Sequence, residues 1–373
     1  MKWVFWIAVA AIGYAYVGYP LWLWLRSRWS PRPVRRGEVE PAVSVLMVVR
    51  NEEAVIGRKL ENLLALDYPT EKLDVVVVSD GSSDRTEALL QEFARNPRVR
   101  CLMKQLPQGK AAGLNDALNL AYGEIVMFTD ARQTIEPAAL RYLVENFSDP
   151  EVGCASGELM LGHPESGETG KGMGLYWRIE KKIRELESAS GSVAGATGAI
   201  YCARRDLLEP VPEGTILDDV LLPMQTVRKG FRVVFDSRAR AWDSPNLGES
   251  REFSRKVRTL SGNYQLLQLA PWLLSSENAI RFEFVSHKLF RLVVPFALVA
   301  LFVASMFLAQ PVYRVALIAQ IVFYGLSLVA LAGIRIGPLS RVADPARTFV
   351  VLNSAALVAF VNFVTGRKAA WVR

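Results

Sequence analysis

Three short apolar runs, each broken off by acidic or amide side chains, constrain this chain more than any other feature. Val43–Val49 runs into Arg50-Asn51-Glu52-Glu53, Val75–Val78 into Ser79-Asp80-Gly81-Ser82-Ser83-Asp84, and Ile125–Phe128 into Thr129-Asp130-Ala131-Arg132. None of the runs alternates with polar residues. Such a run suits a strand covered on both faces, as in a parallel sheet. In open α/β sheets ligands bind beyond the carboxyl ends of the strands. Asp80, Asp84 and Asp130 fall at that edge.

Between the runs the apolar period becomes helical. Ile56, Leu60, Leu63 and Leu64 share a face over 53–66. Ser82, Ser83 and Asp84 suit the start of a helix over 85–95, so capping alone explains Asp84. A short strand near 99–103 leads to Gln108-Gly109-Lys110 and a helix over 110–121. This βαβα order predicts a parallel, doubly wound core. From 153 to 243 the order becomes mixed. A strand near 153–161, a Gly-, Glu- and Pro-rich loop over 162–172 and an amphipathic helix over 175–190 come first. The small-residue turn Gly195–Ala199 then enters another strand, and Leu217-Asp218-Asp219-Val220 opens a helix. A basic helix covers 251–269.

Hydrophobic residues make up 51% of the 373, and the excess lies at the two ends. Trp3–Leu25, Leu289–Leu308, Val312–Ile334 and Thr348–Val364 are each long enough, or nearly so, to cross a bilayer. No A-x-A site follows the first, so a retained anchor is expected rather than a signal peptide. Arg26, Arg28, Arg32, Arg35 and Arg36 follow it and put the middle of the chain in the cytoplasm. Arg335, Arg341 and Arg347 put the loop before the last span on the same side. Arg367, Lys368 and Arg373 then fall outside, against the rule, which leaves a re-entrant last segment open. The net charge of +7 sits largely beside these spans, which favours a membrane over nucleic acid. Three scattered cysteines and two histidines offer no disulfide framework and no histidine-based metal site. The expected organisation is an anchor and basic linker over 1–37, a cytoplasmic domain over 38–250, basic interfacial helices over 251–287 and membrane helices over 288–373.

The residues at the strand ends suggest chemistry. The segment Gln108–Asn115 carries Gly109 and Lys110 but lacks P-loop spacing. Asp218 and Asp219, at a helix start, are either caps or include a general base. Arg255 and Arg258, three apart, share a helix face and could clamp a diphosphate. The same helix could also lie on anionic lipid.

Taken in order, Val43–Glu53, Val78–Thr86, Gly109–Asn115, Phe128–Gln133, Leu217–Leu221 and Arg255–Gln265 resemble membrane-bound family 2 glycosyltransferases, the synthases of cellulose, hyaluronan, chitin and poly-N-acetylglucosamine among them. The resemblance implies a GT-A-type doubly wound mixed sheet flanked by transmembrane α-helices. It implies a nucleotide-sugar donor, a UDP-sugar first, inversion at the anomeric carbon, and Mg²⁺ or Mn²⁺. Carried over residue by residue, Glu52, Asp80, Lys110, Asp130 and Arg132 meet the donor, and Asp130 meets the metal. Gly195, Thr197, Gly198 and Asp218 lie on the acceptor side, Asp219 is the general base, and Arg255 and Arg258 meet the diphosphate. The acceptor would be a lipid or a polysaccharide at the cytoplasmic face of the inner membrane. Four spans are few for a pore, so an exported polymer would need an export partner or several copies of the chain.

The departures are as informative. The second acid of the D-x-D motif is Arg132, the acid before the base is Asp218, and Gln-x-x-Arg-Trp has become Arg255-Lys256-Val257-Arg258-Thr259. Two other readings stay open. A sugar nucleotidyltransferase shares the sheet and its acidic edge, and a non-catalytic GT-A-like scaffold would tolerate the loss of an acid at 132.

Overall fold

The structure, a computed structural model, describes residues 1–162, 175–243, 249–334 and 340–367. Its centre is an eight-stranded sheet: β1 (Val43–Val49), β2 (Leu73–Asp80), β3 (Val99–Lys104), β4 (Ile125–Phe128), β5 (Thr134–Ile135), β6 (Val152–Leu161), β7 (Tyr201–Arg204) and β8 (Arg232–Asp243). The order across it is β3-β2-β1-β4-β7-β6-β8-β5. β1, β2, β3 and β4 run parallel, as the sequence predicts. β7 runs antiparallel to β4, with Tyr201 opposite Phe128. The sheet is therefore mixed, with a parallel core.

Strand alternation explains the two cores. Val43, Val45, Met47 and Val49 point to one face, where Ile56, Leu60 and Leu63 of helix Ile56–Leu64 and Leu140 and Leu143 of helix Ala139–Glu145 cover them. Leu46 and Val48 point to the other, under Ala111, Leu114 and Ala117 of helix Lys110–Leu120. Helix Asp218–Arg228 adds Leu221, Leu222 and Met224 to that face. With both faces covered, every residue of β1 and β2 is buried. Leu60 is fully enclosed, so Leu60→Ala should lower stability by about 2–5 kcal/mol through lost contacts and a cavity. Thermal unfolding of the detergent-solubilised protein checks this.

Among the described residues, four helices are long and apolar enough to cross a membrane: Lys2–Trp29, Arg281–Met306, Pro311–Leu331 and Val342–Val364. They match the four spans read from the sequence. The helix Glu249–Leu269, expected as an interfacial element, packs Phe253, Val257, Leu260 and Tyr264 against Ala355 and Ala359 of the last span. A buried polar cluster ties the first and second spans to helix Leu175–Ser190. The Tyr19 hydroxyl donates to Glu187 Oε1 at 2.5 Å. His287 lies 2.8 Å from Glu187 and 3.1 Å from Glu180, and Arg291 pairs with Glu180 at 2.6 Å. Of the loop expected over 162–172, only Gly162 is among the described residues.

Candidate active site

The parallel strands β1, β2 and β4 end at one edge, and antiparallel β7 starts there. The turn before β7 therefore meets the end of β4, where Thr129 Oγ1 donates to the Ala199 carbonyl at 2.8 Å. This register, not sequence proximity, brings Gly198 to Asp130. A side-chain carbon added at Gly198 would stand 3.4 Å from Asp219 Oδ2 and 3.7 Å from Asp130 Oδ2. Both carboxylates thus border one space in front of a residue that has no side chain to fill it. The Gly198 amide donates to Asp219 Oδ2 at 3.2 Å, and the Ala196 amide to the Asp219 carbonyl at 2.8 Å. Gly195 has φ +116°, a conformation suited to glycine, and turns the loop onto Asp219.

Lys110 supplies the central cation. Its Nζ lies 3.1 Å from Asp130 Oδ1 and 3.1 Å from Asp218 Oδ2. Burial works against its charge, but Asp130, Asp218 and Asp219 outweigh it and hold the ammonium protonated. For Asp130, burial raises the pKa while Lys110, Arg255 and Lys59 lower it, and the net direction is down. Asp219 goes the other way. Burial first, and the Asp218 charge second, push its carboxyl up to about 6 against Lys110 and Lys288. Two acids bordering one space therefore differ in proton affinity, as an ionised ligand and a proton acceptor must.

The other residues expected at the site gather round this centre. Arg132 lies 3.4 Å from Glu52, so the cation at the second acid's place reaches across the cleft to β1's loop. Arg255 faces Asp243 at 3.7 Å. Burial lowers the Arg258 pKa while Asp218, Asp130 and Asp219 oppose that, so its guanidinium shares the field of the three acids. Thr197 donates its amide to Ser156 Oγ at 3.1 Å, fixing the turn before β7 to β6.

Asp80 lies beneath the cleft. The sequence reading gives its carboxylate to the nucleotide. It is 1% exposed, and its two oxygens accept the Gln108 and Gly109 amides at 2.7 and 2.9 Å. In this conformation it shapes the cleft from beneath, holding the turn that launches the Lys110 helix. Gly109, with φ +94°, lets that turn form. Asp84 accepts the Thr86 amide at 3.0 Å and the Glu53 amide at 3.2 Å, a capping and loop-tying role.

Residues 44–211 match the sequence model described as Glycosyl transferase family 2. This region is a family 2 glycosyltransferase domain. Poly-β-1,6-N-acetyl-D-glucosamine synthase of Staphylococcus epidermidis is 25% identical to the chain over 235 residues, covering 62% of this chain and 56% of the synthase. β-Monoglucosyldiacylglycerol synthase of Trichormus variabilis is 30% identical over 186 residues, covering 48% of this chain and 40% of that one. The chain thus spans about half the length of these relatives. A mannosyltransferase of Pyrobaculum calidifontis, solved with GDP-Man and Mn²⁺, superposes with a TM-score of 0.76 over 98% of this chain and 99% of that one, at 22% identity. That likeness extends through the membrane helices and supports the GT-A-type fold.

Several residues around the cleft escape a reading by motif. Lys59 is a buried lysine on the apolar face of its helix, and its interruption of the Ile56–Leu60–Leu63 stripe is the one signal in the sequence. Asp243 ends β8, a strand not expected, and accepts Gln133 Nε2 at 3.1 Å. Tyr201 stacks on Phe128 with ring centroids 4.6 Å apart.

Proposed function

We propose that the protein is an inverting glycosyltransferase acting at the cytoplasmic face of a membrane. It transfers a sugar from a nucleotide-diphosphate donor to a hydroxyl of a lipid or polysaccharide acceptor. The observation that carries this reading is the pair Asp130 and Asp219 bordering the space at Gly198, with Lys110 between Asp130 and Asp218.

In this reading Asp219 takes the proton of the acceptor hydroxyl as its oxygen attacks the anomeric carbon. The bond from that carbon to the diphosphate breaks, and the electron pair leaves with the diphosphate. Attack from the face opposite the leaving group inverts the centre. Arg132, Arg255 and Arg258 offset the growing charge on the leaving group. An upward-shifted base suits this step, because it is ionised near neutral pH and still holds a proton well.

A divalent cation, Mg²⁺ or Mn²⁺, fits the donor side. Asp130 offers a hard carboxylate oxygen that remains partly accessible in the cleft. Among the described residues no group of three or more His, Cys, Asp or Glu is placed to hold an ion alone. Such ions are commonly held by one or two carboxylates with substrate phosphates, so Asp130 would bind the cation together with the donor. When bound, the ion would neutralise charge on the diphosphate.

The relatives' names, read as products, support two acceptor classes, a growing poly-N-acetylglucosamine chain and a diacylglycerol. The Pyrobaculum neighbour's GDP-Man adds a guanine donor to the UDP-sugars the sequence suggests. The test is release of nucleoside diphosphate and transfer by detergent-purified protein, over UDP- and GDP-sugars, with lipid acceptors supplied. Turnover of one donor is expected, lost on chelation and restored by Mg²⁺ or Mn²⁺. Absence of release from every donor, with metal and acceptors present, overturns the reading in favour of a scaffold. Formation of a nucleotide-sugar from a sugar 1-phosphate would instead assign a nucleotidyltransferase.

A further inference from the structure

We infer that Lys59 is the positioning residue of the donor cleft: its buried Nζ ties together the two ends of the Asp130–Arg132 loop and, through them, registers that loop against the base loop and the diphosphate helix. The inference deepens the sugar-transfer reading and rests on it for the roles of Asp130 and Arg132.

A lysine ammonium is costly to enclose and is rarely buried without partners. Lys59 is 2% exposed, on a helix face otherwise made of Ile56, Leu60 and Leu63. A methionine would fill the same volume at no such cost. The nitrogen is spent on two bonds, to Thr129 Oγ1 at 2.8 Å and to the Gln133 carbonyl at 2.7 Å. Residues 129 and 133 are the first and last of the stretch between β4 and β5. The three residues between them carry Asp130 and Arg132. Lys59 therefore closes that loop at its base.

Each end of the loop passes the registration on. Thr129 Oγ1 accepts from Lys59 and donates to the Ala199 carbonyl at 2.8 Å. Ala199 follows Gly198, whose amide holds Asp219. Gln133 donates its side-chain amide to Asp243 at 3.1 Å, and Asp243 faces Arg255 at 3.7 Å. One buried nitrogen thus stands two or three links from the base and from the diphosphate helix. Its charge also lies in the field of Asp130, which offsets part of the burial that pushes its pKa down to about 7. The arrangement sets where the donor's diphosphate sits relative to Asp219. Lys59 touches neither substrate, and acts through the loop.

The test is Lys59→Met, which keeps the volume and removes both bonds. Binding of UDP and GDP by calorimetry, donor KM and kcat, acceptor KM and melting temperature are measured beside the wild type. The expected result is a folded protein whose affinity for the nucleotide and kcat/KM for the donor fall by about ten- to a hundred-fold, with acceptor KM within about twofold of wild type. Thr129→Val, which cuts the shared hydroxyl but spares the bond to Gln133, gives a smaller loss of the same kind. A folded Lys59→Met protein with wild-type nucleotide affinity and donor kinetics overturns the inference. If Lys59→Met does not fold, Thr129→Val with unchanged donor kinetics and affinity overturns it. Failure of the wild type to turn over any donor would count against the sugar-transfer reading, while the nucleotide affinities would still decide the role of Lys59.

Discussion

With Asp219 as the proposed base, Asp219→Asn is expected to slow transfer by about a thousand-fold while donor affinity stays near that of the wild type. The substitution removes the ability to take a proton and little else. An asparagine oxygen can still accept the Gly198 amide that Asp219 Oδ2 accepts at 3.2 Å, and the backbone bond from Ala196 to the Asp219 carbonyl is untouched. The loss is therefore expected in kcat, with donor KM preserved. Single-turnover transfer beside calorimetric binding of the nucleotide separates the two. Equal loss of rate and of binding would mean that Asp219 shapes the cleft rather than serving as its base.

In the proposed role the same residue should set a pH limb. Burial and the Asp218 charge raise the Asp219 pKa to about 6. The base is then protonated below that pH and ionised above it. Transfer rises with pH through about 6 and levels off near neutrality, the sign expected when the ionised form is active. Asp218→Asn removes a charge that raises this pKa, so the limb should move to lower pH. An unmoved limb in that variant would mean that another group controls it.

How much of this was legible in the sequence depends on what each residue must do locally. The three buried strands announce themselves because a strand covered on both faces has no polar alternation. The membrane helices do so because about twenty apolar residues have few other uses. Asp130 stands out as an acid at the end of an apolar run. Asp80 stands out by the same logic, but its partners within the chain do not. Its carboxylate satisfies two backbone amides 28 and 29 residues away, a contact made by the turn before Lys110, which no local pattern encodes. β8 carries no clear strand signal in the sequence because Arg232, Asp236, Arg238 and Arg240 interrupt it. Three of those side chains are paired in the fold, Arg232 with Glu151 at 3.9 Å and Arg238 with Glu145 at 2.9 Å and with Asp236 at 2.8 Å. Paired charge in a long strand reads as loop until its partners are known. Lys59 was hidden for the converse reason, since a single lysine within an amphipathic helix reads as a boundary residue. Only the loop folded over it shows why a charge is enclosed there.

Lys110→Met should give the second large effect, and it acts on stability and chemistry together. Lys110 pairs with both Asp130 and Asp218. Asp218 is buried and Lys110 nearly so, so removal of the cation leaves acidic groups facing one another with less compensation. Breaking a buried ion pair from one side costs about 3–5 kcal/mol, part of which the cleft recovers by admitting water or by binding a proton. Proton uptake is the testable part. Lys110 lowers the Asp219 pKa, so its loss should move the acid limb of the rate profile to higher pH, opposite to the effect of Asp218→Asn. The two shifts of opposite sign cannot both come from general loosening of the fold. Donor kcat/KM at neutral pH should fall by about a hundred-fold, because the base is then more often protonated and Asp130 has lost the cation that orients it. Metal should compensate in part, since a divalent ion at Asp130 replaces some of the missing charge. A Lys110→Met protein whose melting temperature, pH limb and donor kinetics all match the wild type would show that the bridge between Asp130 and Asp218 is a surface ion pair of little consequence, and would leave the field at Asp219 to Arg258 and Lys288.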